Sequence, residues 1–287
     1  MMNRSGLFRI WAATAVMVVL SAALHATAAG VPASAPASMP ASQPASFTFI
    51  HAGDPQIGGW VPIKESQARF IELARQADER GVDFVLVAGD LVHVGKDAEQ
   101  LAAFRKAMTY FKVPVKLVPG NHDDLATFRK LFGKDYYSFT KDNYEFICLN
   151  SNLMLEADAG GKTEPQAQWQ WLDRTLHTAQ QARREIIVLM HHPPAALGEG
   201  ADRFGKLMKK YAVKIVLAGH VHITGELAVN GYNLYTVGGT ATVFDQKGYG
   251  YRLFTVTGPK VEQAYVRMPA VPTKNPAASQ PASAVAQ

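Results

Sequence analysis

The chain has 287 residues, 48% of them hydrophobic, which is enough for one large domain with a substantial core. Its net charge is +5 with a pI near 9.2, and removing Arg4 and Arg9, which lie in a segment expected to be cleaved, from +5 leaves +3. That balance is too mild to call for nucleic acid or a membrane surface.

Arg4 and Arg9 lead into an apolar run from Ile10 to Leu24, and Ala26-Thr27-Ala28 supplies small residues for cleavage, so residues 1–28 read as a secretory signal. The competing reading is an uncleaved anchor, but the run is about 15 residues and a bilayer span needs roughly 20. The expected location is therefore periplasmic or extracellular, with no stable membrane insertion after cleavage. Residues 29–46 contain VPASAPASMPASQPAS, and ASQPAS returns in the tail 273–287. Such segments bury too little apolar surface to offset ordering entropy and read as disordered spacers. The folded domain is expected over 47–272.

Within those limits strands and helices alternate. SFTFIHAG is a strand, followed by a helix from Lys64 to Arg80 with Phe70, Leu73, Ala74 and Ala77 on one face and Gly81 placed to end it. DFVLVAG is a continuous apolar run typical of a strand covered on both faces. A helix from Ala98 to Phe111 follows, with Asp97 as N-cap and Leu101, Phe104, Met108 and Phe111 inward. VPVKLVPG returns as a strand, and a short helix spans Leu125 to Phe132. DYYSFTKDNYEFICLN reads as a hairpin turning at Lys141-Asp142-Asn143, in which Cys148, the only cysteine, is a buried strand residue.

Thr163-Glu164-Pro165-Gln166 resembles a capping box ahead of a stripe of Trp169, Leu172 and Leu176. EIIVLM is a strand, Arg203 to Tyr211 a helix and VKIVLAG a strand, while Ile223 to Met268 alternates like an antiparallel meander.

Five short blocks follow strands: HAGDPQIGG, AGDLVH, PGNHD, VLMHHPP and AGHVH. In open α/β sheets ligands bind at that edge, so distant parts of the chain can converge there. Each block alone has an ordinary reading as turn or loop chemistry. Together they assemble carboxylate, amide and imidazole donors in one order.

That order resembles the calcineurin-like metallophosphoesterases, whose blocks have the form D-x-H, G-D-x-x, G-N-H-D/E, V-x-x-H and G-H-x-H. The resemblance covers essentially the whole folded region. It implies an α/β fold, a sandwich of two mixed β-sheets flanked by helices, with two metal ions between the sheet edges. Matched residue by residue, Asp54, Gln56 and His222 take the first metal, Asp90 bridges, and Asn121, His191 and His220 take the second. His122 is matched to the position over the phosphoryl group, where it stabilises charge or protonates the leaving oxygen, with Asp123 and His93 as further catalytic candidates. A histidine that merely shapes the turn with Asp123 is the alternative for His122.

The residue types suit the chemistry without the family. A phosphate ester repels hydroxide, and two metals about 3.5 to 4 Å apart neutralise it and bring bound water toward pKa ~7. Carboxylate, amide and imidazole donors suit divalent or mixed-valence Mn, Fe or Zn better than Ca. Two positions depart from the common pattern. His93 stands where the Ser/Thr protein phosphatases of this family have an aspartate; it contacts substrate or His122, or is a turn residue without a role. Gln56 offers a neutral amide where imidazole is usual, which weakens the first site and favours harder ions.

His191 is taken as the ligand and His192 as its support, with the reverse left open, while His51 and His177 read as ordinary strand and helix-surface residues. The segments SNLMLEADAGGKTE and PPAALGEGADRFG border the site and carry no basic cluster that would announce a polynucleotide. The expectation is an exported hydrolase that attacks phosphomonoesters, of small molecules or phosphoproteins, with metal-bound hydroxide. Its alternatives are a phosphodiesterase for cyclic nucleotides or glycerophosphodiesters, or a scaffold that kept the fold without the chemistry.

Overall fold

A computed structural model describes residues 46–155, 163–229 and 231–270. The leader 1–28 and the tail 273–287 lie outside the described residues, as does the spacer 29–46 apart from Ser46, which opens the first strand. In chain order the elements are β1 (Ser46–Ala52), α1 (Ile63–Glu79), β2 (Phe84–Ala88), α2 (Ala98–Met108), β3 (Val115–Val118) and α3 (Leu125–Phe132). There follow β4 (Tyr137–Lys141), β5 (Tyr144–Cys148), α4 (Thr163–Gln181), β6 (Glu185–Leu189), α5 (Gly200–Lys210) and β7 (Ile215–Ala218). The chain closes with β8 (Glu226–Val229), β9 (Tyr232–Thr236), β10 (Gly250–Thr257) and β11 (Lys260–Arg267). Among the described residues, no helix is long and apolar enough to cross a membrane.

The strands form two mixed sheets, ordered β11-β10-β1-β2-β3 and β4-β5-β6-β7-β9-β8. Successive side chains on a strand point to opposite faces, and β1 uses this to join two cores. Phe47 and Phe49 face the second sheet, while Ile50 and Ala52 pack with the buried faces of α1 and α2. Between the sheets Phe49 stacks on Phe84 at 5.2 Å and on Phe254 at 4.8 Å, and meets Phe146 edge-on at 5.4 Å. On the far side of the second sheet, Trp169, Leu172 and Leu176 of α4 and Phe204 and Met208 of α5 close a third cluster. The layers therefore run helix, sheet, sheet, helix, the sandwich expected from the resemblance.

Local chemistry sets the helix ends. Asp97 accepts from the Gln100 amide at 2.9 Å and starts α2, and Asp124 accepts from the Thr127 amide at 3.0 Å and starts α3. The last helix begins at Gly200, three residues before the Arg203 start read from periodicity, because Gly200-Ala201-Asp202 offers no large apolar side chain to mark a face. The C-terminal meander is not what forms. β8 and β9 join the second sheet, with β9 parallel to β7, whereas β10 and β11 join the first, with β10 antiparallel to β1. Alternation marks each strand but carries no information on which sheet accepts it.

Candidate metal centre

The strands β1, β2, β3, β6 and β7 all end at one rim of the sandwich, and the five motif blocks begin there. Immediately past the strands the backbone bends into a rarely populated region. Of the non-glycine residues with positive φ, Asp54 (49°), Gln56 (38°), Asp90 (48°), His220 (69°) and His222 (52°) are all sequence-matched ligands. Strain of this kind costs about 1–3 kcal/mol per residue and persists only where the surroundings over-determine it. Here it turns successive side chains inward instead of letting them alternate. The approach is close enough to require glycine: a Cβ at Gly120 would lie 2.1 Å from Asp90 Oδ1, and one at Gly219 would lie 2.6 Å from Asp54 Oδ2.

Backbone bonds lock neighbouring blocks together. The Asp54 and Gln56 amides donate to the Gly89 and Asp90 carbonyls at 3.2 and 2.8 Å. The His220 amide donates to both Asp54 oxygens at 3.1 Å, and the His122 amide donates to Asp90 Oδ1 at 2.9 Å. Asp54 and Asp90 are both buried, and burial raises both carboxyls above their ordinary range, with the charge of Asp90 pressing further on Asp54.

Main-chain carbonyls aim His191 and His222. His191 Nδ1 donates to the Ala88 carbonyl at 2.7 Å, so Nε2 is the free nitrogen. That atom lies 2.9 Å from Asn121 Oδ1, 3.2 Å from His220 Nδ1 and 3.5 Å from Asp90 Oδ1. His222 Nδ1 donates to the Thr242 carbonyl at 3.0 Å, and its Nε2 stands 3.7 Å from Asp54 Oδ1. Burial lowers the pKa of His191 to about 3 and also lowers those of His220 and His222, favouring the neutral imidazole that binds metals. Gln56 is buried at the same rim, and its Oε1 has no hydrogen-bond partner.

The residues at this rim fit two cations. A buried amide oxygen without a partner, two buried carboxylates under mutual pressure and imidazoles presenting their unprotonated nitrogens make a donor set that cations would satisfy. Two overlapping groups bring their ligand atoms within 4.8 Å of one another, Asp54 with Asp90 and His191, and His191 with His192 and His220.

His191 faces Asn121 and Asp90. His192 turns its Nδ1 to Ser151, whose Oγ lies 2.9 Å from that atom and accepts from the His192 amide at 3.0 Å.

His122 stands at the mouth, half-buried, where Nδ1 donates to the His93 carbonyl at 2.7 Å. The two rings stack at 4.8 Å and 26°. His93 therefore touches His122 through its carbonyl and ring face, and among the described residues no carboxylate hydrogen-bonds the His122 ring. Asp123 departs from its expected place among the catalytic groups. Its carboxylate accepts from the Leu91 and Gly120 amides at 3.1 and 2.9 Å, bracing the loops that carry Asp90 and Asn121, and burial pushes its pKa up to about 7. It acts through those loops, because backbone donors occupy its oxygens.

Sequence reasoning missed the carbonyls of Ala88, His93 and Thr242, for which no signal exists because every residue has one. It also missed Ser151, Trp60 and Phe244. The last two are exposed aromatic residues beside the rim, and an unexplained apolar residue next to a motif was the available clue. His177 lies exposed on α4, whereas His51 is fully buried between the sheets, with a pKa lowered to about 3 by burial and by Arg252.

A profile described as calcineurin-like phosphoesterase matches residues 47–224. The serine/threonine-protein phosphatase CPPED1 of Bos taurus is 27% identical over 260 residues, covering 76% of this chain and 83% of that protein. A probable cyclic nucleotide phosphodiesterase of Vesicomyosocius okutanii is 25% identical over 184 residues, covering 59% of this chain and 76% of that one. Among solved structures, a dimetal phosphatase from Danio rerio superposes with a TM-score of 0.60 at 15% identity, covering 79% of this chain and 100% of that one. At that identity the likeness concerns the fold.

Proposed function

The chain belongs to the calcineurin-like phosphoesterase family of metal-dependent phosphoric ester hydrolases, and from that premise we propose that it is an exported phosphomonoesterase with His122 assisting the leaving group. The observation that carries this reading is the convergence of Asp54, Gln56, Asp90, Asn121, His191, His220 and His222 at one rim with the His122 ring over its mouth. The longer match to a phosphatase than to a phosphodiesterase supports the monoester preference. The leader composition of residues 1–28 supports export.

In this reading Asp54, Gln56, Asp90 and His222 would hold one cation, and Asp90, Asn121, His191 and His220 the other, as Mn, Fe or Zn. Bound there, the two cations supply charge neutralisation for the phosphoryl group and lower the pKa of water toward ~7. The protein does the rest by position. Ala88 and Thr242 fix the tautomers of His191 and His222, so both present Nε2 inward. The His93 carbonyl keeps a proton on His122 Nδ1, and in the doubly protonated ring the second proton sits at Nε2. That proton passes to the ester oxygen as its bond to phosphorus breaks. Leu91 and Gly120, through Asp123, hold the bends that aim Asp90 and Asn121.

The alternative within the family is a phosphodiesterase acting on cyclic nucleotides or glycerophosphodiesters, and a relative named for cyclic nucleotides favours keeping it. Turnover of 4-nitrophenyl phosphate against bis(4-nitrophenyl) phosphate separates the two. A higher kcat/KM on the monoester is expected, and a clear preference for the diester would replace this reading with the alternative.

A further inference from the structure

Two large aromatic side chains lie open to solvent beside the first-metal residues: Trp60 is 65% exposed and Phe244 61%. They touch edge to face, with centroids 6.1 Å apart and planes at 85°, forming a right-angled corner. Phe244 lies flat on His222, at 5.1 Å and 24°, and its amide donates to the His222 carbonyl at 3.0 Å. Trp60 follows the Gln56 bend, whose loop is tied to the catalytic side because the His93 amide donates to the Ile57 carbonyl at 3.1 Å and Gly59 donates to Gln56 at 3.0 Å. The corner thus continues the metal centre along the edge between His222 and the His93–His122 stack.

We propose that this corner seats a planar aromatic ring on the leaving group of the substrate, so that aryl or nucleobase-bearing phosphate esters are preferred over purely aliphatic ones. The proposal rests on the reading of the centre as a phosphoester site. Three features carry it. Apolar rings exposed to water gain by covering their faces, and aromatic rings add a stacking preference beyond area. Two planes at right angles let one flat ring lie on one face while presenting its edge to the face of the other, a geometry an alkyl chain cannot use. Finally, the leaving oxygen must point toward His122, so the group attached to it extends along the edge where Trp60 stands. A small aromatic ester fits this better than a peptide, since the two rings form a single corner.

The test uses the full chain loaded with Mn²⁺, the exposed-site variant Trp60→Ala, and Phe244→Leu, which keeps apolar bulk against His222 while removing the ring. The readout is the ratio of kcat/KM for phenyl phosphate to that for ethyl phosphate; intrinsic leaving-group reactivity cancels between wild type and variants. Each variant should lower the ratio by roughly tenfold, the scale of one lost stacking contact. Calorimetric binding of phenylphosphonate against ethylphosphonate, which needs no turnover, should lose its preference in parallel. If neither ester is hydrolysed but phenylphosphonate binds more tightly and Trp60→Ala removes that difference, the hydrolase reading falls and the corner stands. If the ratio and the binding preference survive both substitutions, the corner is overturned. It is equally overturned if both variants lose only turnover of a phosphoserine peptide, which would make the corner a peptide-docking surface.

Discussion

On the His191 side of Asp90, three groups crowd around one nitrogen: His191 Nε2 has Asn121, His220 and Asp90 atoms between 2.9 and 3.5 Å away. On the other side the donors are sparser. His222 Nε2 is 3.7 Å from Asp54, and the remaining contribution is the neutral Gln56 oxygen, buried without a partner. The second half also opens onto Trp60 and Phe244, whereas the first is backed by Ser151 and His192. The difference teaches that equivalent strand ends need not give equivalent pockets. One half is crowded with donors, and the other is sparser and bordered by exposed aromatic side chains.

The largest expected effect comes from removing what the halves share. Asp90→Asn should cut kcat by about a thousandfold or more, since several kcal/mol of charge stabilisation are lost from both sides at once. A small loss would mean that the halves work independently. His122→Ala should lower kcat by roughly 10²- to 10⁴-fold while elemental analysis still finds the wild-type metal content. Metal loss in that variant would make His122 a ligand and redraw the division between the halves.

Gln56→His addresses the asymmetry directly. Imidazole in place of the amide should strengthen retention of the more labile metal about tenfold, read as the half-time of its loss on dialysis. Equal half-times for the two metals in the wild type would dissolve the contrast.

Acid provides the smallest effect. His51 has a folded pKa of about 3 against an ordinary 6.5, so as pH falls the unfolded chain takes up the proton first. Stability from this residue is fully present above pH 6.5 and drains away as pH falls toward 3. His51 lies three residues before Asp54, on the strand that leads into the Gln56 half. Between pH 7 and 5 the wild type should lose about 2 kcal/mol relative to His51→Met in urea unfolding. Matching losses in the two proteins would remove His51 from the account.

The α/β alternation, the capping aspartates, the apolar faces of α1 and α4 and the five blocks of donors were readable because they depend on spacing along the chain. Hydrophobic period marks which face will be buried, and a short side chain ahead of a helix marks its start. The sequence by itself thus determined the kind of layers and the inventory of donors. Only the tertiary structure decided that β10 and β11 leave β8 and β9 for the other sheet, because alternation is the same whichever neighbour accepts a strand. It also decided that the Asp123 carboxylate accepts from the Leu91 and Gly120 amides, that His122 donates to the His93 carbonyl, and that His191 and not His192 faces Asn121. Those outcomes turn on bends of a few residues and on main-chain atoms common to every amino acid, and such atoms acquire a role only when distant strands bring them within hydrogen-bond reach.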